Sequence, residues 1–98
     1  MVASGSDANG GPHVFWVGSN RHQVFYKYQQ GNDWKGGSLF ATLSENVTGL
    51  ACAVTNGDIF TVHARCDDGN VYYTWQNRGQ TAWNGGGPGK IAGFVRFN

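Results

Sequence analysis

The apolar residues of this chain come in short bursts, not at helical intervals. Val14-Phe15-Trp16-Val17, Val24 to Tyr28 and Val71 to Trp75 are rich in β-branched and aromatic side chains, and Gly, Asn, Asp or Gln bound them. Runs of this length and composition predict strands. They do not alternate cleanly between apolar and polar, as expected for strands covered on both faces. No segment keeps a helical period over about 11 residues, so essentially no helix is expected. The predicted strands are 13–18, 23–29, 34–41 and 47–54 in the first half, and 59–65, 70–76, 82–86 and 91–97 in the second. Asp68-Gly69 lies between two of them as a hairpin turn, and Asn20-Arg21-His22 holds the same place in the first half.

The halves repeat one another. Val24-Phe25-Tyr26-Lys27-Tyr28-Gln29 matches Val71-Tyr72-Tyr73-Thr74-Trp75-Gln76 at a spacing of 47, and Trp34-Lys35-Gly36-Gly37 matches Trp83-Asn84-Gly85-Gly86 at 49. Asn9-Gly10 matches Asn56-Gly57, and Val47-Thr48-Gly49-Leu50 resembles Ile91-Ala92-Gly93-Phe94. In this alignment Arg21 falls on Asp68, His22 on Gly69 and Gly18 on Arg65. The chain is thus a single domain, 1–98, of two tandem repeats, about 10–56 and 57–98. A repeat of about 48 residues with four strands is the size of one propeller blade. The predicted fold is all-β, with two four-stranded propeller-type blades per chain. Two blades leave two apolar faces uncovered, which favours completing the ring by oligomerisation, a trimer first of all. A two-sheet sandwich or a small barrel is the alternative.

Composition narrows the partners. The chain has 98 residues, 16 Gly, four Trp, four Tyr and six Phe, and a net charge of +1. Few charges and many aromatics argue against disorder. The seven Lys and Arg are scattered, so no stripe tracks phosphates and nucleic acid is not an expected partner. No apolar run reaches the ~18–20 residues of a membrane helix, so no membrane insertion is expected. No leader-like stretch follows Met1, which leaves the localisation open between the cytoplasm and export. Cys52 and Cys66 are the only cysteines, and they read as two small strand residues or as a pair.

Asn56-Gly57, Val62-His63-Ala64-Arg65, Asp68-Gly69, the strand from Val71 to Gln76, then Trp83 and Gly85-Gly86, form a pattern that resembles the repeat of the PLL-like propeller lectins. The two-blade layout resembles the short bacterial fucose-binding propeller lectins, whose chains trimerise into six blades. The resemblance spans Asn9 to Asn98. It implies a non-catalytic lectin with sugar sites between neighbouring blades. The Arg and Glu with which the short fucose lectins hold sugar hydroxyls are absent. His13 and Tyr26, and Thr61 and Tyr73, stand approximately in their places. A fucose-like neutral glycan is the implied ligand class, and its identity is left open by that departure.

Sugar binding takes an aromatic face for the C–H side of the ring and fixed donors for the hydroxyls. Trp34 and Trp83 are the leading platform candidates, each following a polar turn; sheet-to-sheet core is the other reading. Tyr26, Tyr28, Tyr73 and Trp75 fall at equivalent points of one strand and serve as core or as groove lining. Arg21 and Arg65 are the polar candidates, because a guanidinium fork suits vicinal hydroxyls. Asn32, Asp33, Gln29 and Gln76 are secondary. No enzyme is expected: Asp67-Asp68 reads as a turn, and Glu45 is the only Glu, without a second carboxylate placed to work with it. No metal-ligand spacing and no cofactor motif occur. Two functions from different classes compete, a lectin, or a protein-interaction or structural module. An engineered fragment of a longer propeller lectin is a third reading.

Overall fold

The computed structural model describes residues 1–7, 10–55, 58–79, 83–84 and 94–96. Among these, the chain forms β1 (Val2–Ser6), β2 (Pro12–Val17), β3 (Gln23–Gln30), β4 (Asp33–Thr42), β5 (Val47–Thr55), β6 (Ile59–Cys66), β7 (Val71–Asn77) and β8 (Val95–Arg96), with no helix among the described residues. The strands make two antiparallel four-stranded meanders, β1-β2-β3-β4 and β5-β6-β7-β8. The all-β expectation holds, and six predicted strands lie within a residue or so of their observed bounds. The predicted strand 82–86 falls largely outside the described residues, as does most of 91–97.

Two strand assignments differ. β1 was not expected, because Val2-Ala3-Ser4-Gly5-Ser6 is short, small and poor in strand formers. The segment 47–54 opens the second sheet and does not close the first. A tandem repeat carries no phase of its own, so the same matches arise wherever the chain is cut. The place of β5 is that of β1, and the likeness of Val47–Leu50 to residues 91–94 falls largely outside the described residues.

Cross-strand pairs superpose one sheet on the other. His13↔Tyr28, Phe15↔Tyr26 and Val17↔Val24 become Thr61↔Trp75, His63↔Tyr73 and Arg65↔Val71. The offset is therefore 48 through β2 and the following turn, and 47 through β3. Both turns have the same build. Arg21 N donates to Gly18 O, and Gly69 N to Cys66 O, each at 3.0 Å. Asn20 Oδ1 accepts from His22 N at 3.1 Å, as Asp68 Oδ1 accepts from Asn70 N at 2.9 Å. Arg21 and Gly69 both have positive φ, 66° and 82°. Arg21 thus corresponds to Gly69, Asn20 to Asp68 and Arg65 to Val17, one residue away from the sequence alignment. The extra residue of the first hairpin lies just beyond the turn, between Arg21 and Gln23.

Side chains alternate between the faces of a strand, and paired residues share a face. We call front the face bearing Phe15 and Tyr26 in sheet one and its equivalents His63 and Tyr73 in sheet two. The front of sheet one packs on the back of sheet two. That contact buries Phe15, Val24 and Phe40 against Phe60, Val62, Ala64 and Trp83. The sheets approach most closely at β1 and β5. A Cβ on Gly5 would lie 3.2 Å from Cys52 Cβ and 3.5 Å from the Phe60 ring. Farther out, rings fill the widening gap: Phe40 meets Phe15 at 4.9 Å, Tyr26 at 5.1 Å and Trp83 at 5.0 Å between centroids.

The cysteines do not pair. Cys52 faces Val62 and Cys66 faces Val47, so about four residues of strand, ~13 Å, separate them. A disulfide needs Cα atoms within about 7 Å. Burial pushes both thiols up to about 11, helped at Cys66 by Asp68, Asp67 and Glu45.

Gly5→Val forces two methyl groups into the tightest part of the inter-sheet contact. It is expected to lower stability by about 1–3 kcal/mol, the usual range for overpacking. Urea unfolding at neutral pH measures it; an unchanged midpoint would mean that β1 does not pack there.

Candidate functional site

Four of the eight expected site residues form two equivalent ladders on the front faces. Tyr26 and Tyr28 stack at 5.7 Å and 15°, and Tyr73 and Trp75 at 5.3 Å and 24°. The ladders stand on β3 and β7 because residues two apart on a strand share a face. Each is extended by a histidine or phenylalanine of the preceding strand: Tyr28 by His13 at 5.7 Å, Tyr26 by Phe15 at 6.2 Å and Tyr73 by His63 at 6.1 Å. All four ladder rings are half-buried. The first ladder lines the outer margin of the seam between the sheets. The second lies on the outward front of sheet two.

His13 anchors the first ladder. It is buried, and its Nε2 donates to Asp7 Oδ2 at 2.9 Å. Asp7 Oδ1 accepts from Gly11 N at 2.8 Å, so one carboxylate closes the β1–β2 turn and fixes the imidazole. Burial raises the Tyr26 phenol above its ordinary value, and Tyr28 beside it adds to the effect. The hydroxyl therefore stays protonated over the neutral range. Burial lowers the His63 imidazole below its ordinary value of 6.5.

The two tryptophans expected as platforms part company. Trp34 is 50% exposed, whereas Trp83 is 9% exposed and sits edge-on to Phe15, Phe40 and His13. Trp83 is therefore core in this chain and not an open platform. They remain structural equivalents. Trp34 follows the β3–β4 turn opposite Gln29, one residue before Lys35 opposite Tyr28. Trp83 precedes Asn84, whose backbone N donates to the carbonyl of Trp75 at 2.9 Å, and Trp75 is the equivalent of Tyr28. Both rings stand on the back face; only sheet two turns its back inward.

The two arginines are not part of the ladders. Arg21 lies exposed in the β2–β3 turn, and Arg65 is exposed at the end of β6. They come to the same end of the molecule. Arg21 O accepts from Val47 N at 2.8 Å, and Arg65 O accepts from the Thr48 hydroxyl at 3.2 Å. Beside Arg21 is a shallow depression of about 480 Å³ lined by Met1, Val17, Gly18, Ser19, Val47 and Thr48. Of the secondary candidates, Gln76 is buried in the inter-sheet core, and Gln29, Asn32 and Asp33 are on or beside the β3–β4 hairpin.

The acidic pair is committed to a turn: Asp68 also accepts from the Tyr72 hydroxyl at 2.6 Å and Asn70 Nδ2 at 3.0 Å. The Tyr72–Asp68 hydrogen bond raises the Tyr72 phenol. No group of three or more His, Cys, Asp or Glu converges for a metal ion among the described residues. His13 was named in the sequence only as standing where an Arg is absent; its burial and its bond to Asp7 had no sequence signal beyond its place on an apolar strand. No family model matches the chain, and no curated protein matches it significantly.

Because folding disfavours protonated His63, the unfolded chain takes up its proton first as pH falls. Stability is then expected to decline as pH drops through about 6.5, the ordinary value of a histidine. His63→Gln should flatten that part of the profile. Urea midpoints from pH 7.5 to 5.5 on both proteins measure it, and identical profiles would remove His63 as the cause.

Proposed function

We propose that this chain is a non-catalytic carbohydrate-binding protein whose sheets stack as blades of a propeller, with several chains completing the ring. Sugar binds in the seams between neighbouring sheets. The observation that carries the reading is the repeated pair of stacked, half-exposed rings, Tyr26–Tyr28 and Tyr73–Trp75, on the same face of equivalent strands. A pyranose offers a flat patch of C–H bonds of matching size, and a tyrosine or tryptophan beside it adds a polar tip. The widening of the inter-sheet gap away from β1 and β5 supports a blade arrangement, since blades converge on an axis. The short repeat and its likeness to the propeller lectins point the same way.

The ligand is a neutral glycan. The ladders are built of tyrosine and tryptophan, with no acidic or basic side chain among them, and His13 and Thr61 stand approximately where the fucose lectins carry a cation. Orientation then rests on stacking and on neutral donors, which favours recognition of ring shape over a charged substituent. Arg21 lies in the β2–β3 turn, away from the ladder rings, whereas Arg65, paired with Val71, shares the front face of sheet two with Tyr73 and offers a second contact for an extended chain of sugars. The competing reading, an interaction module, draws on the outward back of sheet one, where Val2, Trp16, Phe25 and Leu39 pair in one apolar row across its four strands.

A glycan array followed by calorimetry tests the proposal. Binding to neutral mono- or oligosaccharides is expected, insensitive to chelator and weakly sensitive to salt. Tyr28→Ala should weaken the seam site five- to tenfold, about 1 kcal/mol. An array blank across all neutral glycans would reject the lectin reading and leave the interaction module.

A further inference from the structure

Arg21 holds a conformation that its turn would give to another residue. Its φ is 66°, the one positive value of a non-glycine among the described residues. Gly69 holds the equivalent place in the second hairpin, at φ 82°. In this left-handed region a β-carbon crowds the next carbonyl oxygen, so stability alone selects Gly or Asn there. The surroundings hold Arg21 in place from both sides. Its N–H donates to Gly18 O at 3.0 Å, its carbonyl accepts from Val47 N at 2.8 Å, and the next carbonyl, of His22, accepts from Leu43 N at 2.8 Å. Strain fixed in this way gathers at ligand clamps. No internal contact of the side chain accounts for it: Arg21 is exposed, and its guanidinium makes no ion pair among the described residues.

The side chain borders the depression of about 480 Å³ described above. That volume is within the span of small-molecule sites, about 300–1,000 Å³. Three kinds of surface meet in it. Val17 from sheet one, Val47 from sheet two and Met1 supply an apolar wall. Thr48 gives its hydroxyl proton to Arg65 O at 3.2 Å, which leaves the hydroxyl oxygen able to accept. Arg21 supplies a planar fork of donors and is the only charged side chain of the lining. A ligand that satisfies all three carries a hydroxyl for Thr48, a C–H flank for the wall and an anionic group for Arg21. A neutral diol would leave the guanidinium without a counter-charge; a carboxylate supplies one.

We infer that this depression is a second sugar site, separate from the ladders, and that it takes a sugar acid whose carboxylate Arg21 binds. The guanidinium meets the carboxylate through two parallel N–H···O bonds, which are stronger than bonds to a neutral hydroxyl. That gain offsets the strained backbone at Arg21. The second hairpin carries Gly69 at the same place and has no such side chain to hold. The two kinds of site divide the chemistry: uncharged ring faces at the ladders, an acidic unit at the β2–β3 turn. The inference does not depend on neutral sugars binding at the ladders.

Calorimetry at low salt tests it, with glucuronate as the probe, glucose as its neutral counterpart and inorganic sulfate as a bare anion. The wild-type chain is expected to bind glucuronate, more weakly as salt is added. Arg21→Gly and Arg21→Asn should each lose at least about tenfold in glucuronate affinity, the loss expected when a charge-assisted hydrogen bond is removed. Both variants should also melt at a higher temperature than the wild type, because both residues accept a positive φ. Lys27→Gln removes one exposed charge from the back of sheet one and should change neither property. A wild-type chain that does not bind glucuronate would overturn the inference, as would Arg21 variants that bind it normally or a Lys27→Gln chain that loses it equally. Sulfate bound as tightly as glucuronate would overturn the sugar part of the assignment. Variants that melt no higher than the wild type would overturn the claim that Arg21 is held there at a cost. A neutral-glycan array left blank beside Arg21-dependent glucuronate binding would reject the ladders as sugar sites and support this one.

Discussion

Everything in this structure turns on one requirement: a sheet that is apolar on both faces must be covered on both. Each four-stranded meander here carries aromatic or aliphatic side chains front and back. One chain supplies two sheets and therefore one internal contact, which satisfies a front and a back. The remaining front and back face outward. Single apolar residues on a surface are ordinary, but a row crossing every strand of a sheet is not. Within these two sheets, one front and one back are thus left without a partner sheet.

The same contact fixes the shape of the seam. At β1 and β5 the backbones come close because Ala3 and Gly5 leave almost no side chain on the front of sheet one, opposite Cys52 on the back of sheet two. At β3 and β4 the gap is wide enough for Phe40, Tyr26 and Trp83. The wedge puts its largest rings at its open margin, where they are half-covered. Half-covered aromatic rings beside solvent are the chemistry that a sugar face requires. In the proposed lectin, packing and binding thus draw on the same residues: Tyr26 is at once a wall of the core against Phe15 and Phe40, and a member of the ladder. This also explains why the sequence left Tyr26 and Tyr28 open between core and groove. They have both parts.

The strands were legible because their signal is local. Bursts of β-branched and aromatic residues between Gly, Asn and Asp mark β2, β3, β6 and β7 nearly to the residue. β1 was not legible, since its small residues are demanded by a sheet that lies far off in the sequence, near Cys52 and Phe60. The repeat was legible, but its register was not complete. The one-residue excess beyond the first turn shifts Arg21, Asn20 and Arg65 by one position, and only the hydrogen bonds of Gly18 to Arg21 and Cys66 to Gly69 reveal where it falls. The site was legible as a set of residue types. Which of them gather on one face depends on pleat and register, which brought Tyr26, Tyr28, Tyr73 and Trp75 into two ladders, put Arg65 on the face of the second and left Arg21 in a turn.

Trp34 and Trp83 show why equivalence in sequence does not carry over to environment. They precede the same backbone position and project from the same face of their sheets. Trp83 is covered because the chain turns the back of its second sheet inward; Trp34 is open because the back of the first sheet faces outward. Burial here is a property of place in a stack and not of the residue or its neighbours in sequence. An open-ended stack of identical units always has one such position at each end, and the apolar surface there grows with the quality of the internal contact that it copies. A good internal interface therefore creates the pressure to repeat it between molecules.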